Sequence, residues 1–194
     1  MSTETVDQAI TRVVDGRVVP ATGTYVLDKA HTKVTFVARH LMVTKVRGHF
    51  PDFDGTIEVA ENPADSKVTA EIRMASVTTD DATRDGHLRT NDFFDVEHYP
   101  TMTFSSTKIE PAGDQWKLIG DLTLRGVTKP VTLDLEFNGG TKDAYFGSKL
   151  GFSASGEINR QDFGVAFNAT LDSGGVVVSD KVRIEIEAEA TLQA

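Results

Sequence analysis

The chain has 194 residues, 39% hydrophobic and 25% charged, which suffices for one sizeable globular domain and gives no reason for two. With 29 acidic against 20 basic residues the formal net charge is −9, so non-specific nucleic-acid binding is excluded as a default and any anion site must be locally basic. Cysteine is absent, which excludes disulfides and thiolate chemistry.

The amino end, MSTETVDQAITRVVDG, shows no apolar stretch of signal-peptide length behind a basic region. No run approaches the roughly 20 apolar residues of a membrane span. The expectation is a cytoplasmic protein without a transmembrane segment. Residues 1–22 read as a polar extension, and in RVVDGRVV the Asp15-Gly16 pair between valines predicts a small two-residue hairpin. Residues 23–194 are expected to form a single domain.

From there period two dominates. In KVTFVARH, Val34, Phe36, Ala38 and His40 share one face, which aims His40 inward. KVTAEIRMASV aligns Val68, Ala70, Ile72 and Met74. TTDDATRDGHLRTNDFFD is the one stretch that reads as helix, with Thr79 as N-cap, Asp80 and Asp81 in the first turn, and Gly86 keeping it short. Strands resume with Met102 and Phe104, then Trp116, Leu118, Leu122 and Leu124, then Val131, Leu133, Leu135 and Phe137. FGSKLGFSASGEI aligns Phe146, Leu150, Phe152 and Ile158, and KVRIEIEAEATL aligns Val182, Ile184, Ile186 and Ala188. Such alternation means strands with one buried and one wet face. About eight of them, joined by turn-rich linkers such as ENPADS, EPAGD and NGGTKDA, give an all-β, up-and-down antiparallel eight-stranded barrel with a short helical insertion; a sandwich is the alternative.

In an up-and-down order successive loops alternate between the two barrel ends. One end then collects Arg39, His40, Arg47, Arg84, His87, Arg89, Arg125 and Arg160, and leaves Arg12, Arg17, Arg73 and Arg183 elsewhere. A basic rim around an apolar tube suits an amphiphile with a hydrocarbon tail and an anionic head, gripped by arginine forks. The head-group candidates are His40, Arg39, Arg47, Arg84, His87, Arg89 and Arg125. The bland reading is that Asp80, Asp81, Asp85, Asp92, Asp95 and Glu97 pair with these cations locally. The tail-lining candidates are Phe36, Phe50, Phe53, Ile72, Met74, Met102, Phe104, Leu122, Leu124, Leu133 and Phe152, which either line a cavity or fill a core.

Catalytic signatures are missing: no P-loop, no G-x-S-x-G, no H-E-x-x-H, no nucleotide-binding glycine motif. His31, His40, His49, His87 and His98 are scattered, so no catalytic residue, metal or cofactor is assigned.

The blocks HTKVTFVARHLMVTKVRGHFPDFDGTI, RDGHLRTNDFFDVEHYPTMTFSST, GDLTLRGVTKPVTLDLEF and GFSASGEINRQDFGV together resemble the YceI-like family of polyisoprenoid-binding proteins, from about Tyr25 to about Leu192. The resemblance implies a lipocalin-like barrel that carries a long isoprenoid chain, of polyprenyl pyrophosphate or quinone type. Among the family's marked positions it implies His40, Gly48, Arg84, Asp85, His87, Asp92 and Phe93. The expected protein is a non-enzymatic lipid carrier or store. Transient membrane contact and a homodimer are left open. The rival readings are an enzyme with His40 or His87 as base, and a scaffold with a packed core.

Overall fold

The computed structural model describes residues 10–170, 172 and 175–193, so residues 1–9 of the polar extension lie outside the described residues. In chain order the strands are β1 (Thr11–Val14), β2 (Arg17–Pro20), β3 (Gly23–Leu27), β4 (Lys33–His40), β5 (Thr44–His49), β6 (Phe53–Val59) and β7 (Lys67–Arg73). The helix α1 (Ala82–Arg89) follows, then β8 (Thr101–Ala112), β9 (Gln115–Leu124), β10 (Val127–Asp143), β11 (Gly147–Asn159) and β12 (Lys181–Leu192).

Asp15 and Gly16 take φ of 50° and 77°, the left-handed pair that a two-residue hairpin between twisted strands requires. β1 and β2 accordingly pair by themselves.

The other strands form a closed eight-stranded antiparallel barrel. Two of its eight staves are broken. β3 and β4 are successive halves of the first stave, interrupted at residues 28–32, and β5 and β6 are halves of the second. In the lower part of the ring β3 pairs with β6, and in the upper part β4 pairs with β5. From β6 the sheet runs through β7, β8, β9, β10 and β11 to β12. The long β12 closes the ring. One edge bonds β11 along Lys181–Thr191, while the other bonds β4 through Arg183–Glu187 and β3 through Ala190–Leu192. β5 pairs with β4 alone, apart from an isolated bridge between His49 and Thr78.

The expected N-cap is corrected. Asp81 caps α1, its carboxylate accepting from the Arg84 N–H at 2.9 Å. Asp80 at φ 63° turns the chain so that the helix starts at Ala82. Thr79 is buried and spends its hydroxyl elsewhere, as described below. Phe146 is also corrected: it stands in water at the β10–β11 tip, where Asp143 accepts from the Tyr145 and Phe146 N–H groups.

Candidate functional site

The inward faces of the strands do not meet at the barrel axis. They enclose a cavity of about 300 Å³ that extends between the two ends. Its wall follows the alternation of each strand. Val34, Phe36 and Ala38 come from β4; Trp116, Leu118, Leu122 and Leu124 from β9; Val131, Leu133, Leu135 and Phe137 from β10; and Val182, Ile184, Ile186 and Ala188 from β12. Of the tail-lining candidates, Phe36, Phe50, Ile72, Met102, Phe104, Leu122, Leu124, Leu133 and Phe152 border it. Phe53 and Met74 do not. Both are almost fully buried at the ends of β6 and β7, in one cluster with the wall residues Phe50, Ile72, Leu122 and Leu124.

One end is covered by the N-terminal hairpin. Val19, 2% exposed, and Pro20 border the cavity there, beside Pro63 and Ser66. Arg12 holds the hairpin through the Pro20 and Ala60 carbonyls, and Arg17 donates to Gly113 O at 2.5 Å and lies over Trp116. These two arginines therefore stand at the end opposite the expected rim.

The other end, the mouth, is covered by α1 and the segments around it. Leu88, Phe93, Phe94, Val165 and Val178 border the cavity from this side. Phe36, Phe50 and Phe94 form a three-ring cluster with centroids 5.6–6.2 Å apart. Gly48 makes room for it: a Cβ there would fall 2.3 Å from Phe36 Cζ. His87 sits edge-on to Phe93 and Phe167 at 5.0 and 5.1 Å, with Nε2 2.7 Å from an Asp92 carboxylate oxygen.

A buried knot fixes this cover to the wall. The Asp85 carboxylate, 6% exposed, accepts from the Thr79 N–H at 2.7 Å, the Thr79 hydroxyl at 2.6 Å and the Thr78 hydroxyl at 3.0 Å. Burial pushes the Asp85 carboxyl up, but these bonds and nearby Arg89 outweigh it and hold it below the usual carboxylate range. Thr78 in turn exchanges backbone bonds with His49 at the end of β5.

The mouth arginines are largely engaged with main chain. Arg84 donates to the Thr79 hydroxyl and carbonyl, Arg89 to Ala75 O and Val77 O, and Arg125 to Phe93 O at 2.7 Å. Arg160 is 4% exposed and gives its guanidinium to the carbonyls of Ser179, Val165, Phe167 and Val178 and to Asp180. Carbonyls at turns and segment ends lack ladder partners, which is why they take these donors. Of the local carboxylates expected as partners, Asp92 meets His87 and Asp85 lies near Arg89, while Arg160 finds a carboxylate outside that set, Asp180.

Arg39 and Arg47 lie on the outer face of the β4–β5 hairpin, since Phe36 and Ala38 take the inner one. Arg47 pairs with Glu185 at 2.5 Å. His40 is exposed at the rim rather than facing inward, because β4 runs past the top of the cavity.

The lining is nearly all carbon. Thr35, Ser66, Trp116 and Arg160 are its only side chains with a nitrogen or oxygen, among the described residues. Also among the described residues, one grouping has metal-ligand spacing, Asp28, His31 and Glu189. The Lys149 ammonium already occupies it, 2.8 Å from Asp28 and 3.1 Å from Glu189. Hydrogen bonds from Lys149 and then His31 hold the Asp28 carboxyl well below the usual range, so the group is an internal ion cluster that ties the stave break to β11 and β12.

Sequence reasoning missed both covers. Phe93 and Phe94 carried a signal, an aromatic pair after a helix; Val19 carried none beyond its hairpin.

The model of the YceI-like domain matches residues 25–190. A Staphylococcus aureus protein, UPF0312 protein SAS2572, is 37% identical over 170 residues, covering 87% of this chain and 97% of its own. Among solved structures, Burkholderia cenocepacia BcnA superposes with a TM-score of 0.73 at 28% identity, over 85% of this chain and 99% of its own. A Campylobacter jejuni YceI protein gives 0.69 at 36% identity, over 80% and 90%. A polyisoprenoid binding domain from Saccharophagus degradans gives 0.62 at 15% identity, over 89% and 100%, a likeness of fold.

Proposed function

Because the chain belongs to the YceI-like family, and because its barrel encloses a carbon-lined cavity, we propose that it binds a long-chain polyisoprenoid lipid in the barrel interior, as a non-enzymatic carrier or store. The observation that carries this reading is the wall itself. A cavity that spans the barrel with so few polar atoms offers water almost no hydrogen bonds, and it rewards an apolar chain by roughly 25 cal/mol for each Å² removed from solvent. The geometry asks only for a long apolar tail. The isoprenoid identity follows the family resemblance and the description of the Saccharophagus degradans neighbour.

The head group stays at the mouth. Beyond the N–H groups given to carbonyls, Arg84 and Arg89 each keep Nη1, and Arg125 keeps Nη2, without a partner among the described residues. With His40 and His87 these are the donors we assign to a polyprenyl pyrophosphate or quinone head. Arg39 and Arg47, on the outer face, leave that set. The rival reading, an enzyme at the mouth with His40 or His87 as base, is distinguished by a turnover that His40→Ala or His87→Ala abolishes while lipid binding survives. A packed scaffold draws no support from a hollow core.

The test is organic extraction of the purified protein followed by mass spectrometry, with uptake of an apolar fluorophore as the binding assay. We expect lipid masses spaced by isoprene units. Ala154→Trp, which fills the cavity from β11, should lower both lipid content and fluorophore uptake. Protein that yields no lipid and takes up no fluorophore would sink the reading.

A further inference from the structure

The tip of the β4–β5 hairpin has a character that tail binding does not require. Leu41, Met42 and Val43 form a three-residue apolar turn standing in water, at 37%, 51% and 74% exposure. Val176, 36% exposed, is next to it: the Leu41 N–H donates to Val177 O at 2.9 Å. Leu41 and Met42 both take positive φ, 52° and 60°, a conformation that bulky residues adopt at a cost and that glycine or asparagine would relieve. A strained and exposed apolar tip lowers both stability and solubility, which makes it a functional candidate.

The charges around it give the second observation. Arg39 and Lys45 are direct cross-strand partners on the outer face at the base of the tip, and both are exposed. Like charges directly opposed on a sheet repel. In a chain with 29 acidic residues, neither side chain forms a hydrogen bond or a close ion pair among the described residues; Lys45 only adds to the field that holds the Glu185 carboxyl, already bonded to Arg47, below the usual carboxylate range. On the same outer surface, Arg47 pairs with Glu185 and Lys181 with Glu157.

We propose that this tip is a membrane-docking finger, in which Leu41, Met42 and Val43 enter the interfacial zone of a bilayer while Arg39 and Lys45 rest on anionic phospholipid head groups. A convex tip of three side chains is far smaller than the roughly 1,200 Å² of a specific protein interface. A bilayer accepts it without a complementary groove, and adjacent like cations without a close ion pair match a plane of phosphates. The finger stands at the same barrel end as α1 and the Phe36, Phe50 and Phe94 rings, so docking brings the mouth to the lipid source. That last step rests on the proposed lipid binding; docking itself does not.

The test is co-sedimentation of the full chain with phosphatidylcholine vesicles with and without phosphatidylglycerol. The wild type should pellet with the phosphatidylglycerol vesicles and be released as salt rises. Lys45→Glu should weaken this by at least about fivefold, the effect of one cation near an anionic surface. The double variant Met42→Ser/Val43→Ser should weaken it by about tenfold, and should take up apolar fluorophore as the wild type does when vesicles are left out. Fluorophore uptake reports the cavity alone, so its failure would strike the proposed function and leave docking to be judged by the pellet. Wild type that stays in solution with phosphatidylglycerol vesicles at low salt, or a double variant that pellets equally, overturns the proposal. So does a wild-type dimer that the double variant dissociates, which would assign the tip to a second copy of the chain.

Discussion

At the mouth the cavity is covered by segments inserted between staves of the ring and held by polar groups sunk in the structure; at the opposite end it is covered by a hairpin that precedes the ring and is held by partly exposed arginines. The mouth cover uses Asp85 and Arg160, each nearly fully buried with its bonding capacity largely spent. The hairpin relies on Val19 wedged into the end and on Arg12 and Arg17 reaching neighbouring carbonyls. Donors shielded from water hold geometry more tightly than those that water can replace. The mouth cover is thus the fixed element, and the hairpin the one that detaches at lower cost.

The largest effect that would test this contrast is at Arg160. Arg160→Met leaves several buried carbonyls without donors and should cost about 3–5 kcal/mol in urea unfolding. A loss under about 1 kcal/mol would erase the difference between the ends. Asp85→Asn comes next, at about 2 kcal/mol, since an amide sets two donors among groups that already donate. It should also flatten the acid limb of stability. The folded Asp85 carboxyl sits below its unfolded value, so the stability it contributes is full above about pH 3.9 and is lost as pH falls through the folded value. Val19→Ala should cost about 1.5 kcal/mol and speed fluorophore entry; an unchanged rate would mean that the hairpin is no barrier. Arg47→Ala, at an exposed pair with Glu185, should cost under about 1 kcal/mol and leave uptake unchanged, marking the outer surface as separate from both ends.

Much of the barrel was legible from alternation. β9, β10 and β12 put into the cavity wall the very residues that their period-two pattern aligns, because a half-wet strand must sort its side chains by face. The pattern failed where a strand ends. Phe146 is in phase with Phe152 yet belongs to a turn, and Phe53 and Met74 are in phase with the wall yet lie beyond the hollow. His40 shows the same limit, one step past the rim. Charge was harder to read than apolarity. The clustering of arginines toward one end follows from loop order, but a sequence does not reveal that their partners are carbonyls, since every residue carries one. Nor could it place Arg12 and Arg17 at the opposite end, which depends on where the first hairpin docks.

The closing role of β12 has a consequence for how the molecule comes into being. Its residues 183–192 must meet residues 25–37, the two extremes of the ring, before the sheet loses its last open edges. A chain emerging from the ribosome therefore leaves the open edges of β3, β4 and β11 uncovered until β12 is released. Closure is obliged to wait for β12, with the slow rates that such distant pairing brings.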